Sequence, residues 1–531
     1  MIRKIAIRNY RMFREFDLEF LPGINILVGK NDTGKSTLIE AINLALTGRV
    51  QGRSLAQELS PYHINLDATR DYVQKLQSGV EAVLPTMIID LFLDDADQSE
   101  LLRGTNNIYG EDACGVRIQA KFSQDFSEEY KSFIQKPEMV RLAPTEYYRV
   151  EWLGFSGNAV SARSLPATVS VIDPTTIRLL SGIDNHLQDI IRTHLDPKDR
   201  VELSRQYRTM REEFSDKEAV KAINKKLQTD EENLTDRKLS LAIDISQRYT
   251  WESSLIAHLD DLPIQLIGKG DQNALKTLLA IGRKADNAKV VLIEEPETHL
   301  SHSSLRKLLH RIEDRCTGKQ LIIATHSNYV LNKLGLDNMI LLGEGAATRI
   351  TDMPAGTVDY FKKLAGFDTL RLVLSDGAIL IEGPSDELII QRAYKDSKGK
   401  LPIEDGIDVI SVGMSHKRFL DLAMRLKRRV WIVTDNDHKT LDQMKERFVD
   451  YLGNDFISLH VGSDPGLNTL EPQIVAANSL ETLNTVFGTQ YESKDKVQDF
   501  MLRDKTGAAL AIFESSTKIV IPEYLRSVFT E

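Results

Sequence analysis

Apolar residues along this chain recur with two spacings, and the changes from one to the other mark out its elements. Met1-Ile2-Arg3-Lys4-Ile5-Ala6-Ile7-Arg8 alternates like a strand, and Ile24-Asn25-Ile26-Leu27-Val28 is a second short β-rich run. Leu38-Ile39-Glu40-Ala41-Ile42 then takes up helical spacing. Met87–Leu93 and Val116–Phe122 read as strands of a small sheet. From about Ser181 to Asp244 the sequence is charged and helix-period, with Leu187, Ile190, Ile191 and Leu195 on one face. This predicts a helical insertion, long enough for a hairpin or small bundle but not for a coiled-coil arm. It serves either as a dimer surface or as a lid on its own domain. Strand runs resume at Val290–Ile293, Leu321–Ala324, Ile379–Ile381 and Val430–Val433. Strands alternating with helical stretches give an α/β fold class.

Length and composition narrow the setting. A chain of 531 residues has room for two or more domains, each with its own core. A content of 42% hydrophobic and 27% charged residues is that of a soluble globular protein, and no apolar run approaches the ~18 residues of a membrane span. The first residues lack a signal-peptide core, so a cytoplasmic location without membrane partners is expected. Two cysteines, Cys114 and Cys316, make neither a zinc site on their own nor a disulfide framework. The net charge of −10 does not advertise nucleic-acid binding, but a local basic surface suffices for phosphate contacts. Lys417, Arg418, Arg425, Lys427, Arg428 and Arg429 form one candidate, read either as such a surface or as a solvated helix end.

The first chemistry lies between the Ile24–Val28 strand and the helix after it. In Gly29-Lys30-Asn31-Asp32-Thr33-Gly34-Lys35-Ser36-Thr37, glycines allow backbone N–H groups to turn inward around a triphosphate. Lys35 would reach the β/γ-phosphates, and Ser36 would hold Mg²⁺ at the helix start. Gly268-Lys269-Gly270-Asp271-Gln272 opens a later helix, and Val290-Val291-Leu292-Ile293 runs into Glu294-Glu295. One of that glutamate pair suits a metal shell and the next a water-activating base, assigned here to Glu294 and Glu295. His326, after the Leu321–Ala324 strand, is placed to sense a terminal phosphate. His299, His302 and His310 lack cysteine partners and read as helix decoration rather than a zinc site.

The second chemistry lies further along. Ile379-Leu380-Ile381 stops at Glu382, with Asp386 close behind, and Val430–Val433 runs into Thr434-Asp435-Asn436-Asp437. In an α/β sheet the carboxyl ends of strands line the ligand crevice, where these acids would converge. Clustered carboxylates repel unless cations sit between them, and hard oxygen donors suit Mg²⁺ or Mn²⁺.

Phosphate loop, Gly-x-Gly-x-Gln signature, acidic strand and histidine, in that order, resemble an ABC-type ATPase of the SMC/RecF-like branch, whose first strand is similar to Ile7-Arg8-Asn9-Tyr10-Arg11-Met12-Phe13. Glu294-Glu295 departs from the usual aspartate-glutamate pair and resembles nucleases of the OLD (overcoming lysogenisation defect) family, in which an ABC ATPase is joined to a C-terminal, Rossmann-like Toprim domain. Glu382-Gly383-Pro384-Ser385-Asp386 and Asp435-Asn436-Asp437 are similar to the two Toprim motifs. The resemblance adds Glu471 as a further metal ligand and Lys505 beside the scissile phosphate. It implies an ATPase domain over 1–175 and 246–365, the insertion over 176–245, and a Toprim domain over 366–531. It also implies an ATP-binding, Mg²⁺- or Mn²⁺-dependent DNA endonuclease of prokaryotic anti-phage defence, with Glu295, His326, Glu382 and Lys505 catalytic. Gly29, Asn31, Gly34, Lys35, Ser36, Thr37, Gly268, Gly270, Gln272 and Glu294 would bind ATP, and Glu382, Asp386, Asp435, Asp437 and Glu471 metal. Gly270 would cover the nucleotide of a second subunit, requiring at least a dimer. Gabija-type and retron-associated nucleases share this architecture, which admits a helicase or a reverse transcriptase with its RNA as partner. The alternative is a non-nucleolytic, RecF-like ATP-dependent DNA-binding or repair protein.

Overall fold

The computed structural model describes residues 1–50, 52–94, 100–162, 164–165, 169–172, 195–229, 251, 258–263, 266–275, 277–278, 288–343, 345–349, 354, 356–357, 359–360 and 367–529. Two compact units emerge, one of Met1 with Leu165–Ile323 and one of Ile2–Ser164 with Ala324–Glu531. Among the described residues no helix is long and apolar enough to cross a membrane. Cys114 and Cys316 are both buried and neither is in a disulfide.

The alternating N-terminus forms β1 (Ile2–Tyr10), paired antiparallel with β2 (Phe13–Glu19). Next comes β3 (Ile24–Val28), whose apolar residues from Asn25 onward are buried, and then α1 (Lys35–Thr47), which buries Leu38, Ile39, Ala41, Ile42 and Ala45. α1 ends at Gly48, where φ is 66° and a Cβ would lie 2.7 Å from the Trp152 ring, so a glycine is needed to turn the chain out. The strands β4 (Met87–Leu93), β5 (Ala113–Phe122) and β6 (Tyr148–Gly154) extend the β2–β1 pair into an antiparallel sheet. Trp152 of β6 donates its indole N–H to the Ala45 carbonyl at 3.0 Å, fixing the sheet against α1.

Within the Leu165–Ile323 unit, β7 (Val169–Ile172) leads to two helices of the charged insertion, α2 (Pro197–Ser215) and α3 (Glu218–Thr229). Leu187, Ile190 and Ile191 lie outside the described residues. β8 (Val290–Glu294) runs parallel to β7, and α4 (His302–Arg315) buries Leu305, Leu308, Leu309 and Ile312 before β9 (Gln320–Ala324). In the other unit α5 (Asn328–Leu334) precedes β10 (Met339–Gly343), which is parallel to β3, and β11 (Ala346–Arg349) returns antiparallel.

The C-terminal sheet is wholly parallel. Its strands are β12 (Gly377–Ile381), β13 (Ile407–Ser411), β14 (Arg429–Val433) and β15 (Ile457–His460), in the order β13-β12-β14-β15. Near-continuous apolar runs are what parallel strands covered on both faces require. Ile379, Ile381, Trp431 and Val433 pack against Ile389, Ile390 and Ala393 of α6 (Pro384–Lys398) and against Ile474 and Ile512 from further helices. The chain leaves β12 for β13 on one side and crosses to β14 on the other, so the carboxyl ends of β12 and β14 flank the crevice where such folds bind ligands.

Candidate functional site

The phosphate loop is closed by its own side chains. Gly34 has φ 97°, and a Cβ there would come 2.5 Å from the Phe13 ring, so only glycine fits between the loop and the β1–β2 turn. Lys35 is 6% exposed, and its Nζ donates to the carbonyls of Gly29 at 2.9 Å and Lys30 at 2.7 Å. A polyphosphate would compete with these carbonyls for the ammonium. Asn31 and Ser36 are exposed, Thr37 is half-buried, and Gly29 packs on the Leu342 carbonyl of β10. Lys30 pairs with Asp376, the residue before β12. The Thr325 N–H donates to the Leu27 carbonyl at 3.1 Å, so half-buried His326 follows a backbone bond to the strand that feeds the loop.

In the other unit Glu294 closes β8, and Glu295 turns the chain with φ 42°. The turn is held by the Thr298 N–H on the Glu295 carbonyl at 3.1 Å. The Gly268–Gln272 segment packs on it. Asn273 Nδ2 donates to the Thr298 carbonyl at 3.1 Å, and a Cβ at Gly270 would lie 2.5 Å from the His299 carbonyl. Gln272 is buried and donates to the Ile267 carbonyl at 2.9 Å.

At the end of β12, Glu382 Oε1 accepts from the Thr434 hydroxyl and, at 3.1 Å, from the Asp435 N–H beyond β14. Asp386, in the first turn of α6, accepts from the Gly383 N–H at 2.9 Å. Glu471 lies in the first turn of α7 (Leu470–Ala477), nearly fully buried, accepting from Thr469 Oγ1 at 2.9 Å. Lys505 opens α8 (Lys505–Glu514) and sets Nζ 3.2 Å from Glu471 Oε1. Burial, then Asp386, Glu382 and Glu471, push the Asp435 carboxyl up to about 8, with Lys505 opposing. Asp386 is pushed up to about 6, by burial first and then by Glu382 and Glu471 against the Gly383 N–H and Lys505. Four carboxylates and one lysine thus share a field at the crevice.

Residues 373–437, which hold Glu382, Asp386, Asp435 and Asp437, match the family described as "Overcoming lysogenization defect protein-like, TOPRIM domain", and residues 4–247 and 184–332 match AAA domains, the second described as "putative AbiEii toxin, Type IV TA system". The chain joins AAA-type ATPase segments to an OLD-like Toprim domain. It is 38% identical over 90 residues to a DNA replication and repair protein RecF of Magnetococcus marinus, covering 15% of this chain and 24% of that protein. To structural maintenance of chromosomes protein 6A of Arabidopsis thaliana it is 22% identical over 345 residues, covering 59% and 31%. The chain spans less than a third of either relative. Among solved structures, the C-terminal region of the Xanthomonas campestris pv. campestris OLD protein aligns at 22% identity and TM-score 0.22 over 29% of this chain and 89% of that one. An Smc head bound to the C-terminal winged-helix domain of ScpA aligns at 14% identity and TM-score 0.34 over 66% and 99%. Both likenesses are too loose to add to the strand topology.

The Toprim site gathers Glu382, Asp386, Asp435 and Glu471, with Lys505 at their edge. Asp437 is exposed, in a left-handed turn with φ 49°, and is not among the strongest charges acting on Asp386 and Asp435. Among the described residues no three His, Cys, Asp or Glu side chains stand close enough together to hold a metal ion as they are. The donor set nonetheless fits a hard divalent cation, because the gathered acids offer carboxylate oxygens and the ionised form of Asp435 is costly until positive charge arrives. Three residues of the site had no motif to announce them. Thr434 orients Glu382, Thr469 orients Glu471, and Tyr524 of α9 (Glu523–Ser527) has its hydroxyl pKa raised by burial and by the same four carboxylates. Thr434, next to an acid at a strand end, and Thr469, two residues before Glu471, carried a local signal, whereas Tyr524 carried none. Of the basic set within the domain, Arg418 donates to Thr357 Oγ1 at 2.9 Å, Arg428 to the Val373 carbonyl at 3.2 Å, and Arg429 lies 5.0 Å over the Trp431 ring. Lys417, Arg425 and Lys427 are exposed.

Proposed function

We propose that this protein is an ATP-binding, divalent-metal-dependent DNA endonuclease of OLD type. The observation that carries the reading is the set of four carboxylates and Lys505 at the crevice of a Toprim domain, in a chain that also bears a phosphate loop. Glu382, Asp386, Asp435 and Glu471 would hold Mg²⁺ or Mn²⁺, which supplies Lewis acidity for phosphodiester hydrolysis. Lys505, held at Glu471, offers a fixed cation to charge developing on the scissile phosphate. Exposed Asp437 would join from the rim. Lys35 binds the β/γ-phosphates of ATP, Ser36 and Glu294 its Mg²⁺, and Glu295 takes a proton from the attacking water, with His326 at the terminal phosphate. Gly268, Gly270 and Gln272 would cover the nucleotide of a second copy, making the active form at least a dimer. The same resemblance supports a cytoplasmic role in anti-phage defence, alone or with a helicase or a reverse transcriptase and its RNA. The match to a repair protein supports a second reading, an ATP-dependent DNA-binding protein without nuclease activity. Incubating purified protein with supercoiled and linear DNA, with and without Mg²⁺, Mn²⁺ and ATP, separates the two. Metal-dependent cutting supports the first, and binding without cutting the second.

Two further outcomes follow from the same assignments. Glu295→Gln keeps the shape but cannot accept a proton, so ATP turnover is expected to fall roughly 100-fold or more while ATP still binds. Steady-state phosphate release checks this, and normal turnover would move the base elsewhere. The raised carboxyls also make metal stabilisation pH-dependent. Asp435 and Asp386 bind protons more tightly folded than unfolded, where carboxyls titrate near ~4. Their contribution is therefore complete below that pH and is lost as pH rises through about 6 for Asp386 and about 8 for Asp435. A cation at the site replaces the lost protons. Mg²⁺ is expected to raise Tm more at pH 8 than at pH 5, read by differential scanning fluorimetry, and an equal shift at both pH values would count against a metal among these acids.

A further inference from the structure

Asn436 lies between the two aspartates of the Asp435-Asn436-Asp437 loop and is fully buried. Its Nδ2 donates to the carbonyls of Asp464 at 2.8 Å, Gly462 at 3.2 Å and Leu467 at 3.3 Å. Its Oδ1 accepts from the His438 N–H at 3.0 Å. One amide thus joins the loop after β14, which carries Asp435, to the loop after β15, which leads through Thr469 to Glu471. Only one further side-chain bond bridges these two loops among those the structure describes, from exposed His438 Nδ1 to the Pro465 carbonyl at 3.1 Å. Asp435 and Glu471 come from different elements and repel each other, so their spacing depends on what ties their loops together.

We propose that Asn436 is a positioning residue for the Toprim metal site, tying together the loops that carry Asp435 and Glu471 so that both carboxylates can close on one divalent cation. This rests on the metal-dependent reading above. An amide suits the place because it offers two N–H donors to carbonyls and one acceptor to the turn, whereas a carboxylate would face three carbonyl oxygens with no proton to give. Partners that orient metal ligands without touching the metal typically set affinity by ~10–100-fold. Asn436→Ala and Asn436→Ser remove all or most of the bridge and leave every carboxylate in place.

The test is Mn²⁺ binding to the full chain without DNA, read from the electron paramagnetic resonance signal of free Mn²⁺, with circular dichroism and Tm measured alongside. Both variants are expected to bind Mn²⁺ about 10–100-fold more weakly than wild type while keeping its secondary structure. Added Mn²⁺ should restore whatever DNA cleavage the wild type shows, which lost folding would not allow. A folded variant that binds Mn²⁺ as tightly as wild type overturns the proposal, even with a lowered Tm, since Asn436 would then only stabilise the fold. If neither variant folds, His438→Ala cuts the exposed bridge instead. Weaker Mn²⁺ binding there supports the tether, and unchanged binding overturns it. A wild type that binds Mn²⁺ but cuts no DNA would defeat the nuclease reading while leaving the role of Asn436 in place.

Discussion

Lys35→Ala is expected to abolish tight ATP binding, with affinity falling on the order of 100-fold or more. The buried ammonium holds two carbonyls of the loop, Gly29 and Lys30, and is the group a polyphosphate would draw away. Hydrogen bonds to a charged group contribute about 1.5–3 kcal/mol each, so losing two of them corresponds to that factor or more. No neighbour replaces it. Lys30 is the other cation in the loop, and its ammonium is paired with Asp376. The truncation also leaves the two carbonyls without this donor, so a fall in Tm should accompany the loss. Isothermal titration of ATP into wild type and variant measures the effect directly. Affinity within a few-fold of wild type would mean that the loop is not the nucleotide site. DNA cleavage without ATP should survive, because the carboxylates lie on other strands.

Much of the architecture could be read from the chain, because parallel strands covered on both faces are continuous apolar runs and their ends are marked by the acids that follow. Ile379–Ile381 and Val430–Val433 lie in β12 and β14, and Ile24–Val28 with its glycine loop is a strand leading into a helix. The same logic stops where the strand stops. β14 ends at Val433, and beyond it a left-handed turn takes Asp437 to the surface while Asn436 goes inward. No period-two rule applies to a turn. Other contacts were hidden because they are fixed by topology rather than by neighbours in sequence. Thr434 meets Glu382, and Lys505 meets Glu471, through the order in which strands and helices pack. Tyr524 reaches the same acids from the last helix. Basic residues in sequence likewise overstate the free charge on the domain, since Arg418, Arg428 and Arg429 are engaged by Thr357, Val373 and Trp431.

Asp435→Ala carries the other large effect. Its carboxyl lies closest to the balance of the site, half-buried among Asp386, Glu382 and Glu471 and pushed up to about 8. Removing it lowers the repulsion, so the apo protein should be no less stable and could gain in Tm. If Asp435 is the ligand proposed, the same change leaves a cation poorly held, and with it go both the Lewis acid and the activation of water. Cleavage is therefore expected to fall by several orders of magnitude while ATP affinity stays at the wild-type value. Lys505→Ala should slow cutting with less effect on metal affinity, because its proposed part is to meet charge developing on the phosphate rather than to hold the cation. The direct test is nicking of supercoiled plasmid by wild type and Asp435→Ala, purified side by side, across a Mn²⁺ and Mg²⁺ series. The account expects metal-dependent nicking by the wild type and none above background by the variant, whereas equal nicking by both, or none by the wild type in either metal, would contradict a catalytic Toprim site.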